Sequence, residues 1–390
     1  MSRVLFVTNG HGEAAIADRI ALELDAIEPR TGRDHLALVG ESCSTAMDEV
    51  GPRAAMPSGG LIAMGNARNL VRDLRAGLLS LTCRQVSFLR RARDRYDVAV
   101  AVGDVYALAM TLLTRRPTVF IGSAKSVEVA PYGAFEARLL HRAAVRFVRD
   151  QATARALRLR GLEVDVANAI VDLFSTRNGA DVANAVAGFE PALALFPGSR
   201  DSAYGAAAFL LNVTRELAER RSALGAVLSV APGLDASRFA SDAQRDGWEV
   251  RPGAAPSVPF VLRRGEREVV RGWHAPLGPL LEKVLLVLGQ AGTANEAAAA
   301  AGVPVIAFER AVDQKARWYR QRQRGLLGEA LAVVDGDLGK AAQGVIELLD
   351  DPARRERMGA IGRARMGPAG GARRVAERIA LLLPERRCDG

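Results

Sequence analysis

The sequence is short of the residues that build redox and metal centres. Its three cysteines, Cys43, Cys83 and Cys388, lie far apart and leave one over, which excludes a disulfide scaffold. A reducing cytoplasm is the location that fits. Four histidines and no Cys-x-x-Cys pair give none of the spacings of a structural zinc site, so no metal is expected. Apolar runs are short, 284–288 being typical, whereas a spanning helix needs about 20 residues. Residues 1–8 read as a strand, and polar Asn9, His11 and Glu13 follow where a secretory signal would carry its apolar stretch. Lysine is nearly absent. Lys125, Lys283, Lys315 and Lys340 are the whole set, so arginine carries the net charge of +9. That surplus suits phosphate, nucleic acid or anionic lipid; with so much alanine it is also what a GC-rich genome writes.

What remains is an ordinary globular composition, 49% hydrophobic and 25% charged over 390 residues. That length is too great for one core and comfortable for two. The pattern along the chain repeats a theme of apolar run, turn and helix. Residues 4–8 form a buried parallel strand, Asn9 to Glu13 a turn, and Ile16, Ile20 and Leu24 one face of a helix. Further strands are expected at 36–39, 98–102, 119–121, 145–148 and 164–167, with a basic helical stretch over 66–95. A linker is expected over 174–191. The theme then restarts with strands at 193–196, 226–230, 260–262, 284–288 and 303–308 and helices after Asp351. Strands alternating with helices imply parallel α/β sheets. The expected architecture is two Rossmann-like, doubly wound α/β domains facing a cleft: 1–175, 190–350 and a helical segment over 351–390.

Four motifs stand at strand ends, where such sheets bind ligands. Pro197-Gly198-Ser199-Arg200 combines a glycine that lets backbone approach a ligand, a helix start suited to phosphate, a hydroxyl and a guanidinium fork. Alone it is equally a tight turn with a solvated arginine. Gly289-Gln290-Ala291-Gly292-Thr293-Ala294-Asn295-Glu296 opens an alanine helix that permits close packing. Glu296 there either caps the helix or accepts hydrogen bonds from a ribose or sugar hydroxyl. Asp313-Gln314-Lys315-Ala316 follows the strand ending at Phe308, and Gln314 could bind sugar hydroxyls. In the first half, His11 and Asp104 stand at strand ends, each a helix cap or a general base.

These motifs resemble those of the lipid-A-disaccharide synthases, glycosyltransferases of the GT-B fold, and more closely a related group. That group shares N-G-H-G-E (Asn9 to Glu13), G-Q-A-G-T-A-N-E (Gly289 to Glu296) and R-M-G-x-x-G (Arg365 to Gly370). Glu296 stands one residue earlier than the synthase glutamate, about 100° around a helix. The synthase Ser-Gly-Asp stretch is replaced by His11-Gly12-Glu13. The resemblance implies a metal-independent, cofactor-free glycosyltransferase that moves a sugar, N-acetylglucosamine first, from a UDP-sugar to a lipid-linked or glycolipid acceptor. Gly198, Ser199, Arg200, Gly292, Thr293, Glu296 and Gln314 would bind the donor, and Asp104 or His11 would deprotonate the acceptor. A UDP-sugar 2-epimerase of the same fold, or a non-catalytic descendant that only binds, are the alternatives. No nucleic acid partner is expected. An acceptor in a bilayer implies peripheral binding to an anionic membrane at its inner face. Residues 66–95 would supply it, their leucines (Leu70, Leu74, Leu78 and Leu81) forming an apolar stripe between Arg68, Arg72 and Arg75.

Overall fold

Apolar runs closed by glycine or aspartate become strands, and the polar turns after them start helices. The structure, a computed structural model, describes residues 2–40, 44–54, 74–174, 182–310 and 317–384, without the side chains of His11 and 317–319. These residues form two units, Met1–Leu173 with Ala369–Gly390, and Phe174–Pro368. Each has an α/β core built on a parallel sheet.

The first unit runs β1 (Arg3–Thr8), α1 (His11–Ile27), β2 (Gly32–Ala37), β3 (Asp48–Glu49), α2 (Leu78–Arg91), β4 (Val98–Val102), α3 (Val105–Thr111), β5 (Thr118–Gly122), α4 (Ala134–Leu140), β6 (Val145–Val148), α5 (Gln151–Arg158) and β7 (Asp165–Val166). All seven strands are parallel, in the order β3-β2-β1-β4-β5-β6-β7. The winding reverses between β1 and β4. Val4 to Val7 and Val98 to Val102 are completely buried, as strands covered on both faces must be. At the opposite end of the sheet, buried Asp34 accepts hydrogen bonds from Arg3 Nη2 and Tyr96 O–H, both at 2.6 Å. Burial, and then this bond, raise the Tyr96 pKa and keep the phenol protonated.

Helix α2 corrects one expectation. Its Leu81 and Leu89 are buried with Leu5, Leu36 and Leu38, and Leu78, Val86 and Phe88 pack on the same cluster. From Leu78 onward the apolar stripe therefore serves the core and is not free to meet a membrane. Arg68, Leu70 and Arg72 lie outside the described residues. Buried Gln85 donates from Nε2 to the carbonyls of Leu38 and Pro52, at 3.0 and 3.1 Å, tying α2 to the chain after β2.

The second unit runs β8 (Ala192–Phe196), α6 (Ser202–Arg220), β9 (Gly225–Ser229), α7 (Ala236–Arg245), β10 (Glu249–Ala255), β11 (Val258–Arg264), β12 (Arg267–Trp273), β13 (Leu286–Gly289), α8 (Thr293–Ala301), β14 (Val305–Glu309), α9 (Arg317–Leu327), β15 (Leu331–Asp335), α10 (Leu338–Leu349) and α11 (Pro352–Met366). Its sheet order is β10-β11-β12-β9-β8-β13-β14-β15. Four of the five expected strands, β8, β9, β13 and β14, are parallel to their neighbours, as is β15, which was not expected. The stretch expected at 260–262 lies in β11, which is antiparallel to both of its neighbours. β10, β11 and β12 form an antiparallel meander on one edge, with β12 parallel to β9. The winding reverses between β8 and β13.

The segment after Asp351 divides between the units. Helix α11 packs on α8 so closely that a Cβ at Gly359 or Gly362 would lie 2.4 Å from a backbone oxygen, of Gly302 and Ala299 respectively. The alanines of α8 and these glycines remove the side chains that would hold the helices apart. Helix α12 (Gly371–Ala380) then packs on α1 in the first unit. Its start is held by Asp172, whose carboxylate accepts from the amides of Gly370 (2.5 Å) and Ala372 (2.7 Å).

Candidate functional site

In each unit the strand-end motifs gather where the winding reverses, the position at which open α/β sheets leave a crevice. In the second unit, turn 197–200 leaves β8 and turn 289–293 leaves the adjacent β13. The Gln290 amide donates to the Phe196 carbonyl at 2.8 Å, so the two turns are clasped. Gly198 has φ of +123°, a conformation that favours glycine. Ser199, Arg200 and Thr293 are exposed, and Gly292 is half-buried.

Beneath turn 289–293 lies a polar network that sequence reasoning missed. The Gln290 side chain donates to the Phe308 carbonyl (3.2 Å) and accepts from Arg320 Nη1 (2.8 Å). Gln323 Nε2 donates to the carbonyls of Ala291 and Gly292, at 3.0 and 3.1 Å. Asn295 Nδ2 donates to the Gly289 carbonyl and to Gln323 Oε1. Arg320, Gln323 and Asn295 are all buried. A Cβ at Gly289 would stand 2.1 Å from Asn295 Oδ1, which is why glycine ends β13. Glu296 is buried in the first turn of α8, and Gln314 lies outside the described residues.

Some helix starts carry a side-chain cap and others, α1, α2 and α12 among them, do not. α3, α5, α7, α10 and α11 are capped by the side chains of Asp104, Asp150, Asp235, Asp337 and Asp351. Helices α6 and α8 have no side-chain cap. Their first-turn N–H groups and positive dipole ends suit an anion. Arginine gathers around α6: Arg238 lies 3.9 Å over the Tyr204 ring and 3.7 Å from Asp201, and Arg310 donates to the Gly205 carbonyl.

In the first unit the reversal lies between the ends of β1 and β4. His11 is the first residue of α1, and its side chain lies outside the described structure. Asp104 is half-buried and caps α3. Its Oδ1 accepts from the amides of Tyr106 and Ala107 at 3.0 and 3.1 Å, and its second oxygen stands outside both bonds. Glu13 spans the gap: a Cβ at Gly10 would lie 2.7 Å from its Oε2, and one at Gly103 3.0 Å from its Cγ. The G-H-G-E spelling was the signal for Glu13. Among the described residues, no three His, Cys, Asp or Glu side chains converge as metal ligands, and no helix is long and apolar enough to cross a membrane.

No protein-family model matches the chain, and no curated protein matches it. Solved structures do, at low identity. The S. aureus protein MnaA, solved with UDP, shares 13% identity, with 97% of this chain and 95% of that one covered and a TM-score of 0.58. UDP-GlcNAc 2-epimerase from Neisseria meningitidis, bound to UDP-GlcNAc, shares 14% over 97% and 100%, with a TM-score of 0.55. The glycosyltransferase SnogD from Streptomyces nogalater shares 16% over 98% and 99%, with a TM-score of 0.54. The chain has the GT-B fold of these enzymes. None of the three is described as a lipid-A-disaccharide synthase.

Proposed function

We propose that this chain is an enzyme acting on a UDP-sugar, with the nucleotide diphosphate held by the second unit. One observation carries the reading. Two glycine turns meet at the reversal of the second sheet, beside two uncapped helix starts and a group of arginines. Arg200, Thr293 and the N–H groups of α6 and α8 would hold the diphosphate, as fixed donors that stabilise a departing UDP. Replacing Arg200 by Ala is expected to weaken UDP binding by about 1.5–3 kcal/mol, the worth of a charge-assisted hydrogen bond. Calorimetry giving equal affinities would remove Arg200 from the site.

For the reaction, 2-epimerisation is the first reading. The Neisseria structure is that of such an epimerase. Inverting C2 means taking a proton from one face and returning one to the other, which calls for more than one acid–base group. The first unit offers Asp104, Glu13 and His11 around one reversal. Transfer to a lipid-linked acceptor is the second reading, supported by the likeness to SnogD and by the sequence motifs. Product analysis separates them: a 2-epimer of UDP-N-acetylglucosamine, or free UDP with a new glycoside. A chain that binds UDP and yields neither is a non-catalytic descendant.

Peripheral membrane binding belongs to the transfer reading. Leu74 and Leu79 are exposed, and so are Arg75, Arg84, Arg90 and Arg91 of the same segment. Each basic residue at an anionic surface contributes about 1 kcal/mol, screened by salt. Flotation with phosphatidylglycerol vesicles at low salt is expected, and replacing these four arginines by Glu should abolish it. Wild-type protein left at the bottom of the gradient would remove this surface from the account.

A further inference from the structure

The amides of turn 289–293 are aimed from behind, by a side chain of α9. A trans peptide is planar, so the C=O of one residue and the N–H of the next point in opposite directions. Gln323 Nε2 holds the carbonyls of Ala291 and Gly292, at 3.0 and 3.1 Å. The N–H groups of Gly292 and Thr293 are thereby turned away from Gln323. Neither finds an acceptor among the described residues, nor does that of Ala294; the helix bonds begin with the amides of Asn295 and Glu296, which both donate to the Gly292 carbonyl. Burial follows the same division. Gln323 is 4% exposed, whereas Thr293 is exposed and Gly292 half-buried. Gly292 is itself the N-cap and has no side chain with which to close these donors.

The chemistry of position 323 admits few residues. The side chain donates to two carbonyls and accepts from Asn295 Nδ2 at 3.3 Å. A primary carboxamide does this; an ionised Glu only accepts, Lys only donates and an apolar side chain does neither. Because Gln323 Oε1 is committed to Asn295, Nε2 must face the turn. Gln290, held by Arg320, ties the same turn to the ends of β8 and β14. The frame in which Gln323 acts is therefore fixed on three strands.

We propose that Gln323 is the positioning residue of the anion site: by holding two carbonyls it aims the Gly292 and Thr293 amides at the diphosphate. The proposal rests on the UDP-sugar reading of the second unit. The test is titration of UDP into the intact, isotope-labelled chain, read by calorimetry and by amide NMR. In the wild-type chain the Gly292 and Thr293 amide signals should move downfield as UDP binds. Gln323→Met keeps the length and removes all three hydrogen bonds; Gln323→Glu keeps the shape and replaces the two donors by acceptors. Each should weaken UDP binding about 10-fold or more, the worth of one charge-assisted hydrogen bond, and lose the downfield shifts at saturating UDP. Gln321→Met, at an exposed position of the same helix, should match the wild type. The amide shifts report orientation and not stability, and the wild-type signals decide the matter if both Gln323 variants misfold. UDP that binds the wild-type chain without moving these two amides would overturn the positioning role. So would folded Gln323 variants with wild-type affinity or with the wild-type amide shifts. A folded wild-type chain that binds no UDP would instead overturn the reading on which the proposal rests.

Discussion

Replacing Asp104 by Asn is expected to lower turnover of the UDP-sugar by about 10²–10⁴-fold, the usual loss of a general base, with the fold and UDP affinity kept. Asn is as good a helix cap as Asp, so the bonds to the Tyr106 and Ala107 amides survive the change. What disappears is the basicity of the oxygen outside those bonds. The prediction thereby separates a capping aspartate from a catalytic one, which a change to Ala could not do. Steady-state kinetics on both proteins, with thermal melts alongside, check it. Near wild-type turnover in Asp104→Asn, together with its loss in His11→Ala, would transfer the role of base to His11.

Replacing Gly289 by Ala should damage stability and nucleotide binding together. The added methyl would stand 2.1 Å from Asn295 Oδ1, in a network already fixed by Gln323 and the Gly289 carbonyl. Asn295 is completely buried and has nowhere to retreat. Overpacking of this kind costs about 1–3 kcal/mol. For a unit of this size that lowers Tm by roughly 2–4 °C per kcal/mol. The displaced turn also carries Gly292 and Thr293, so UDP affinity should fall at temperatures where the variant is still folded. Unchanged melting and unchanged UDP affinity would show that the turn tolerates the methyl and that the network does not position the site.

Sequence alone resolved the elements that announce themselves by apolar continuity. β4 is legible to the residue, because Val98 to Val102 is an unbroken buried run between polar breaks; β6 matches the expected 145–148 although half-buried Arg146 interrupts its apolar residues. β10 escaped because Glu249, Arg251, Pro252 and Gly253 give an edge strand neither an apolar run nor an alternation. The return of α12 to the first unit was illegible because it is held by Asp172, 198 residues from Gly370. At the candidate site, the turns at Gly198 and Gly292 were visible as glycines after apolar strands. Arg320 and Gln323 were not: α9 reads Arg-Trp-Tyr-Arg-Gln-Arg-Gln-Arg, and nothing local marks which of its arginines and glutamines turn inward. The leucines of α2 show the opposite failure. Leu78 and Leu81 share the core-facing side of α2, Leu74 lies before it beyond Gly77 and Leu70 is outside the described residues, and a spacing cannot say whether core or membrane covers a face.

The central claim is that the second unit binds the diphosphate of a UDP-sugar, and calorimetric titration of UDP into the intact chain tests it most directly. The account predicts saturable binding at a single site, weakened by Arg200→Ala and by Gly289→Ala and retained by Asp104→Asn. Absence of any UDP binding by the folded wild-type chain, or binding that none of these changes at the second unit alters, would contradict it.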